Sequence, residues 1–213
     1  MTENATLTAL KWRYATKKFD ETRRVPSEKL EMLLEGGNLT ATSLGIQPFK
    51  MVVVEDPKIL KSLEEITFYQ SSIQTCSHLL ILCAETNVDD AYVDNFIEFV
   101  AEARGLEVSA LDGYKKMCKT FINGMSEETK REWLKHQCYI VMGNLLTVCA
   151  SLEIDSCPME GFNPPALDEV LGLHKHNLKS VLLIPIGYRA EDDKFSIMGK
   201  LRKPLEDMVV NIG

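Results

Sequence analysis

A chain of 213 residues with 45% hydrophobic residues has enough material for a sizeable core, and residues 1–213 are expected to fold as a single domain. Lys plus Arg number 24 against 31 Asp plus Glu, a formal net charge of −7, which argues against a general nucleic-acid or anionic-membrane partner. No stretch approaches the ~20 uninterrupted apolar residues of a membrane-spanning helix, and residues 1–5 lack the charged and apolar regions of a signal peptide, so a cytoplasmic location is expected.

Thr6 is a candidate N-cap for a first helix in which Leu7, Leu10 and Tyr14 share a face, running into Arg13, Lys17 and Lys18. Helical spacing sets Arg13 and Lys17 four apart, where like charges repel unless an anion lies between them. A phosphate would reconcile them, and a solvated basic helix end would also explain the run. Pro26 and Ser27 open a second helix with Leu30, Leu33 and Leu34 in one stripe, and Gly36-Gly37 is read as its stop. Thr42, Ser43, Gly45 and Gln47 then form a hydroxyl- and amide-bearing loop before a strand over residues 49–54.

Asp56-Pro57 starts a short helix, residues 69–74 are polar and small, and residues 79–84 read as a strand. His78 at that strand's entry is read as a hydrogen-bonded structural histidine rather than a base. Residues 89–104 form a helix closed by Gly105, with an aromatic face of Tyr92, Phe96 and Phe99, and residues 106–125 are expected to be helical as well. Ser126 caps a long helix reaching about Leu152, expected to be the buried spine, in which Gly143 suggests close approach of another helix. A symmetric dimer would supply that neighbour.

The segment Pro158-Met159-Glu160-Gly161 follows, placing a restricted Pro and a side-chain-free Gly beside a carboxylate. It suits close approach of a flat ligand, although Asn163-Pro164 makes a plain helix-entry turn an equally simple account, for a helix ending near Leu173. Residues 181–186 are a continuous apolar strand, and His174 and His176 sit in the connector before it. Lys200 and Arg202 alternate as extended residues ahead of Pro204, and the apolar tail of residues 205–213 is expected to dock, with a partner subunit as one possible surface. Six cysteines without a CxxC pair are read as reduced core residues, and no metal site is expected.

Taken in this order, Arg13, Ala15 and Lys17, then Thr42, Ser43, Gly45, Gln47 and Pro48, then Pro158, Glu160 and Gly161, then Lys200 and Arg202 resemble the motifs of the nitroreductase family from about Leu7 to Pro204. The resemblance implies an α+β fold, a central mixed sheet layered by helices, built as an intertwined homodimer with FMN at the interface. It also implies reduction of nitroaromatics, quinones or similar small electron acceptors by NADH or NADPH, in a ping-pong hydride transfer carried by the flavin rather than by a side-chain nucleophile. Arg13, Lys17, Lys200 and Arg202 would hold the phosphate and the polar edge of the ring, Thr42, Ser43 and Gly45 would reach in from the other subunit, and Glu160 and Gly161 would face the flavin. Tyr69 and Ser72 depart from the family pattern at the pyrimidine edge, where Gln70 and Gln74 are candidate substitutes. A flavin-binding or interaction protein without turnover is the competing expectation.

Overall fold

Two runs of apolar residues, Leu79–Cys83 within one strand and Leu182–Ile184 within another, are buried completely or almost so, because these strands lie at the centre of a sheet covered on both faces. The computed structural model describes residues 4–213, in the order α1 (Ala5–Trp12), α2 (Ser27–Asn38), β1 (Phe49–Val54), α3 (Pro57–Ser62), α4 (Ser71–Gln74), β2 (His78–Glu85), α5 (Asp90–Arg104), α6 (Asp112–Asn123), α7 (Glu127–Ser151), β3 (Asp155–Ser156), α8 (Pro164–Val170) and β4 (Leu178–Gly187). The strand order is β1-β2-β4-β3, and each of the three ladders is antiparallel. The mixed character expected of the sheet is confined to one parallel bridge between Ala15 and Ser156.

Alternation along β2 divides the core. Leu80, Leu82 and Ala84 join the side built with Leu134, Cys138, Val141, Leu145 and Cys149 of α7, while Leu79, Ile81 and Cys83 join the side built with Leu60 of α3, Ile73 of α4 and Leu167 of α8. Each such side chain removed from water contributes roughly 1.5–3 kcal/mol, so a one-residue slip of β2 would forfeit both faces together. α7 starts at Ser126, whose Oγ accepts from Thr129 N at 3.2 Å, with Glu127 and Glu128 favourably placed in the first turn. All six cysteines are free and buried in this core.

Several local expectations change. Asn4, not Thr6, caps α1, and α1 ends at Trp12, so Arg13, Tyr14 and Lys17 share no helical face. Gly36 and Gly37 lie inside α2 rather than ending it. A Cβ on Gly36 would stand 2.8 Å from Val148 Cγ2 and one on Gly37 2.5 Å from Met51 Sδ, so these glycines permit close contact with α7 and β1. Residues 106–125 divide into a short 3-10 turn, Val108–Leu111, and α6, and α8 ends at Val170 before a second turn, Leu173–His176. α7, expected as the buried spine, is covered on one side only: Leu134, Cys138, Val141, Leu145 and Cys149 are buried whereas Tyr139 and Ile140 are exposed, and within the protomer the space beside Gly143 is open. Within the protomer the tail of residues 205–213 is exposed throughout. Among the described residues no helix is long and apolar enough to cross a membrane.

Candidate functional site

The segment after α1 is extended because buried carboxylates claim its polar groups. Asp155, at the start of β3, receives Arg189 N at 2.8 Å, Arg189 Nε at 2.9 Å and Arg189 Nη2 at 2.6 Å, and Thr16 Oγ1 approaches it at 3.4 Å. The Arg189 guanidinium in turn covers the rings of Trp12 and Tyr14, at 4.3 and 4.7 Å from their centroids. Asp193, 4% exposed, accepts from Tyr14 Oη at 2.9 Å, Lys17 N at 3.0 Å and Phe195 N at 3.0 Å. Burial works to raise its pKa, but the donors of Phe195, Lys17, Tyr14 and Lys18 outweigh burial and hold it below the usual carboxylate value.

A depressed carboxylate pKa contributes stability that is fully present above the unfolded value of about 3.9 and is lost as pH falls through the folded value. Asp193→Asn is therefore expected to lower stability at pH 7 by about 1–3 kcal/mol, the cost of leaving buried donors poorly matched. The difference from the parent protein should shrink as the pH drops below about 4. Urea unfolding midpoints across that range measure it, and a difference independent of pH would remove the carboxylate from this role.

This framework brings four sequence-predicted cations toward one place. Lys200 Nζ donates to the carbonyls of Leu10 and Arg13, which ties the C-terminal segment to the end of α1. Lys17 Nζ donates to Cys157 Sγ at 3.4 Å. Burial lowers the Arg13 pKa and nearby Arg202 lowers it further; burial, Arg13 and Arg202 do the same to Lys200. Arg13 Nε is buried with no hydrogen-bond partner among the described residues. An unpartnered buried guanidinium nitrogen among mutually repelling cations is a site shaped for a dianion, and the phosphate of FMN fits that chemistry.

The strand continues from this cluster into the Pro158–Gly161 turn, with Met159 bridged to Leu183, so at most ~14 Å of extended chain separates Cys157 from Gly161. Gln70 Nε2 donates to Gly161 O at 2.7 Å, while Gly161 N–H makes no hydrogen bond among the described residues. A Cβ on Gly161 would stand 3.1 Å from that Gln70 nitrogen, so the bare glycine keeps the clamp close. Tyr139 Oη donates to Glu160 Oε1, and that bond, ahead of burial, pushes the phenol up to about 12. Ser71 Oγ donates to Lys17 O at 2.8 Å, which joins the start of α4 to the same site. Phe68 and Tyr69 are exposed there in left-handed conformations, φ 54° and 55°. Ser72 is turned inward, its Oγ 3.5 Å from Met159 Sδ.

The hydroxyl loop lies elsewhere on the protomer. Ser43 N donates to Gln137 Oε1 at 2.8 Å, Gln47 Nε2 to Asn38 O at 2.8 Å, and Tyr92 Oη to the carbonyls of Ile46 and Gln47 at 3.0 Å each; Tyr114 Oη donates to Leu44 O. Leu44, Gly45 and Gln47 all have positive φ, a local strain that these side-chain bonds hold in place. Thr42 Oγ1 is buried without a partner. Thus Arg13, Ala15, Lys17, Lys200 and Arg202 are assembled beside Pro158, Glu160, Gly161 and Gln70, whereas the loop that carries Thr42, Ser43, Gly45 and Gln47 is bonded to α2, α5, α6 and α7 through Ser43, Leu44, Ile46 and Gln47.

The sequence reading missed Tyr139, Asp155, Arg189 and Asp193, whose partners are distant in sequence; only the placement of Asp155 immediately before the apolar turn into Pro158 offered a local signal. His78 is buried between Ser77 Oγ, 2.9 Å from Nδ1, and Glu55, 3.3 Å from Nε2, and burial and then Arg24 lower its pKa; this is the structural role read for it. His174 and His176 are exposed in the turn before β4.

Comparison with known proteins bears on the lineage and the fold. The model of the nitroreductase family matches residues 10–188. The Bacillus subtilis (strain 168) protein named "Putative NAD(P)H nitroreductase YfkO" is 32% identical over 214 residues, covering 95% of each chain. A Staphylococcus haemolyticus protein of the same description, SH0546, is 31% identical over 211 residues, again covering 95% of each. Among solved structures, a nitroreductase-like protein of Streptococcus mutans superposes with a TM-score of 0.85 at 20% identity, over 97% of this chain and 98% of the other. A structure from Exiguobacterium sibiricum, described as a "putative nitroreductase in complex with FMN", superposes with a TM-score of 0.84 at 18% identity, over 100% and 99%. The structural likenesses establish the α+β fold, and the family match together with YfkO establishes the lineage: this chain belongs to the nitroreductase family.

Proposed function

We propose that this protein is a homodimeric FMN enzyme that uses NADH or NADPH to reduce nitroaromatics, quinones or similar small electrophiles in a ping-pong cycle. Within the nitroreductase family it is an NAD(P)H-dependent flavin oxidoreductase. The observation that carries this reading is the cation cluster of Arg13, Lys200 and Arg202 with its unpartnered buried Nε. Relatives named NAD(P)H nitroreductases and a structural neighbour described with FMN support the same cofactors.

Arg13, Lys200 and Arg202 hold the phosphate, and Lys17 serves the polar edge of the ring, with the backbone at Ala15 completing the wall. FMN held there would supply two-electron redox chemistry between the nicotinamide and the acceptor. Gly161 offers its free N–H to the flavin, Gln70 fixes the turn that presents it, and Pro158 limits its motion. Glu160, held by the Tyr139 phenol, shapes the hydrogen bonding around the ring and does not serve as an obligatory proton donor. Thr42, Ser43, Gly45 and Gln47 enter the site from a second copy, which accounts for a strained hydroxyl loop kept away from the cluster of its own protomer. Residues 1–213 act as one domain, with both core clusters sharing one sheet.

A reading as a flavin-binding protein without turnover draws on Ser72, which faces Met159 and the core rather than the site. The visible spectrum of the purified protein separates the two. We expect a flavin spectrum that bleaches anaerobically with NADH or NADPH and recovers on addition of a quinone or nitroarene. Bound flavin that neither nucleotide reduces would favour the non-catalytic reading, and failure to take up added FMN would overturn both.

A further inference from the structure

A second site lies at the open edge of β4. Beyond the bridge from Met159 to Leu183, no strand among the described residues covers β4 on that side, and Ser180 N instead donates to Asp168 Oδ1 at 3.0 Å. A bulge falls here. The β2–β4 register passes from Leu82 opposite Leu182 to Cys83 opposite Ser180, leaving Val181 as the extra residue. Three consecutive residues, Lys179, Ser180 and Val181, consequently border one cavity of about 620 Å³, which Leu134 and Arg131 of α7 and Pro164 of α8 close from either side. That volume falls within the range of small-molecule sites.

The polar groups around it are unequally satisfied. Ser180 is 7% exposed and its Oγ is buried with no hydrogen-bond partner among the described residues. Each carboxylate at the cavity is engaged: Glu127 lies 3.6 Å from Lys130, Glu85 lies 3.6 Å from Lys50, and Asp168 takes the Ser180 N–H. Lys135 is paired with Glu132 at 2.7 Å. Arg131 and Lys179 make no ion pair or side-chain hydrogen bond among the described residues, so two cations stand against Asp168, the one carboxylate here whose partner is a neutral N–H, and the balance at the mouth is positive. A buried orphan hydroxyl, an apolar wall and two unpaired cations form a combination that a purely structural gap would not require.

We propose that this cavity binds a small organic anion with an apolar body, its charge met by Arg131 and Lys179, its body against Leu134, Val181 and Pro164, and Ser180 Oγ serving a polar atom. The site uses none of the residues assigned to the flavin, so it stands or falls independently of the reaction. The probe is benzoate, titrated into the FMN-loaded protein by calorimetry, with benzylamine as the cationic control of similar shape. Saturable benzoate binding is expected, at least ~10-fold weaker for benzylamine and at least ~10-fold weaker for benzoate in R131A/K179A, a variant of exposed side chains whose flavin content should match the parent. Ser180→Ala is expected to weaken binding without changing flavin content. The proposal is overturned by absence of saturable binding in the parent protein, by benzylamine binding as well as benzoate, or by equal benzoate affinity in R131A/K179A.

Discussion

Replacing Lys200 and Arg202 together with alanine is expected to raise the dissociation constant for FMN by roughly 10²- to 10⁴-fold, while leaving most of the fold intact. Each hydrogen bond to a charged phosphate is worth about 1.5–3 kcal/mol, and every 1.4 kcal/mol is tenfold in affinity. Arg202 separates ligand binding from structural support. Among the described residues its guanidinium donates only to the adjacent Leu201 carbonyl, and it depresses both Arg13 and Lys200. Arg202→Ala alone should therefore weaken FMN by about 10- to 100-fold, yet leave the melting temperature of the flavin-free protein unchanged or higher, because a repulsive neighbour has been removed. Lys200 also secures the end of α1 through two carbonyls, so the double variant is expected to lose some flavin-free stability as well. Fluorescence titration of FMN and thermal unfolding without it make the distinction. Equal FMN affinity in parent and double variant would take the phosphate away from this cluster.

The elements that were legible in the sequence are those whose signals are local. Asp89 and Gly105 bracket α5, Ser126 starts α7, and the apolar runs of β2 and β4 need only their neighbours to be read. Gly36 and Gly37 misled because a glycine serves equally for a helix stop and for close packing, and only the positions of Val148 and Met51 decide between them. The segment from Arg13 to Lys17 looked helical because its charges repeat at four residues. Asp193, 176 residues from Lys17, and Asp155, 139 from Thr16, hold it in an extended path that no local pattern encodes. Of the candidate site, the residue types came from motifs that recur in order along the chain. The Tyr139 contact to Glu160 and the Gln70 clamp on Gly161 arise from the packing of α7 and of the loop before α4 against one turn.

Introducing two charges into the tail, Val210→Asp with Ile212→Asp, is expected to weaken the proposed homodimer by at least ~100-fold and to release FMN with it. Val210 and Ile212 are 86% and 95% exposed on the protomer, in a segment that carries Leu205, Met208 and Val209 as well. Nine residues of this composition gain nothing by extending into water, and an apolar surface elsewhere is the ordinary remedy. α7 offers such a surface in exposed Tyr139 and Ile140, with open space beside Gly143 for a close neighbour. If the tail docks on a second copy, a carboxylate at each position must be buried without a partner, a penalty on the order of 3–5 kcal/mol, or about 10²- to 10³-fold in the dimer dissociation constant. The tail variant keeps Arg13, Lys17, Lys200 and Arg202 unchanged, so loss of FMN on dissociation would identify the missing contacts as those of the second copy's Thr42–Gln47 loop. Sedimentation velocity over a concentration series, with flavin absorbance followed in the same cell, reads both events. A variant that remains dimeric would exclude the tail as the connecting arm, and a monomer that retains FMN at parent affinity would assign the whole flavin site to one chain.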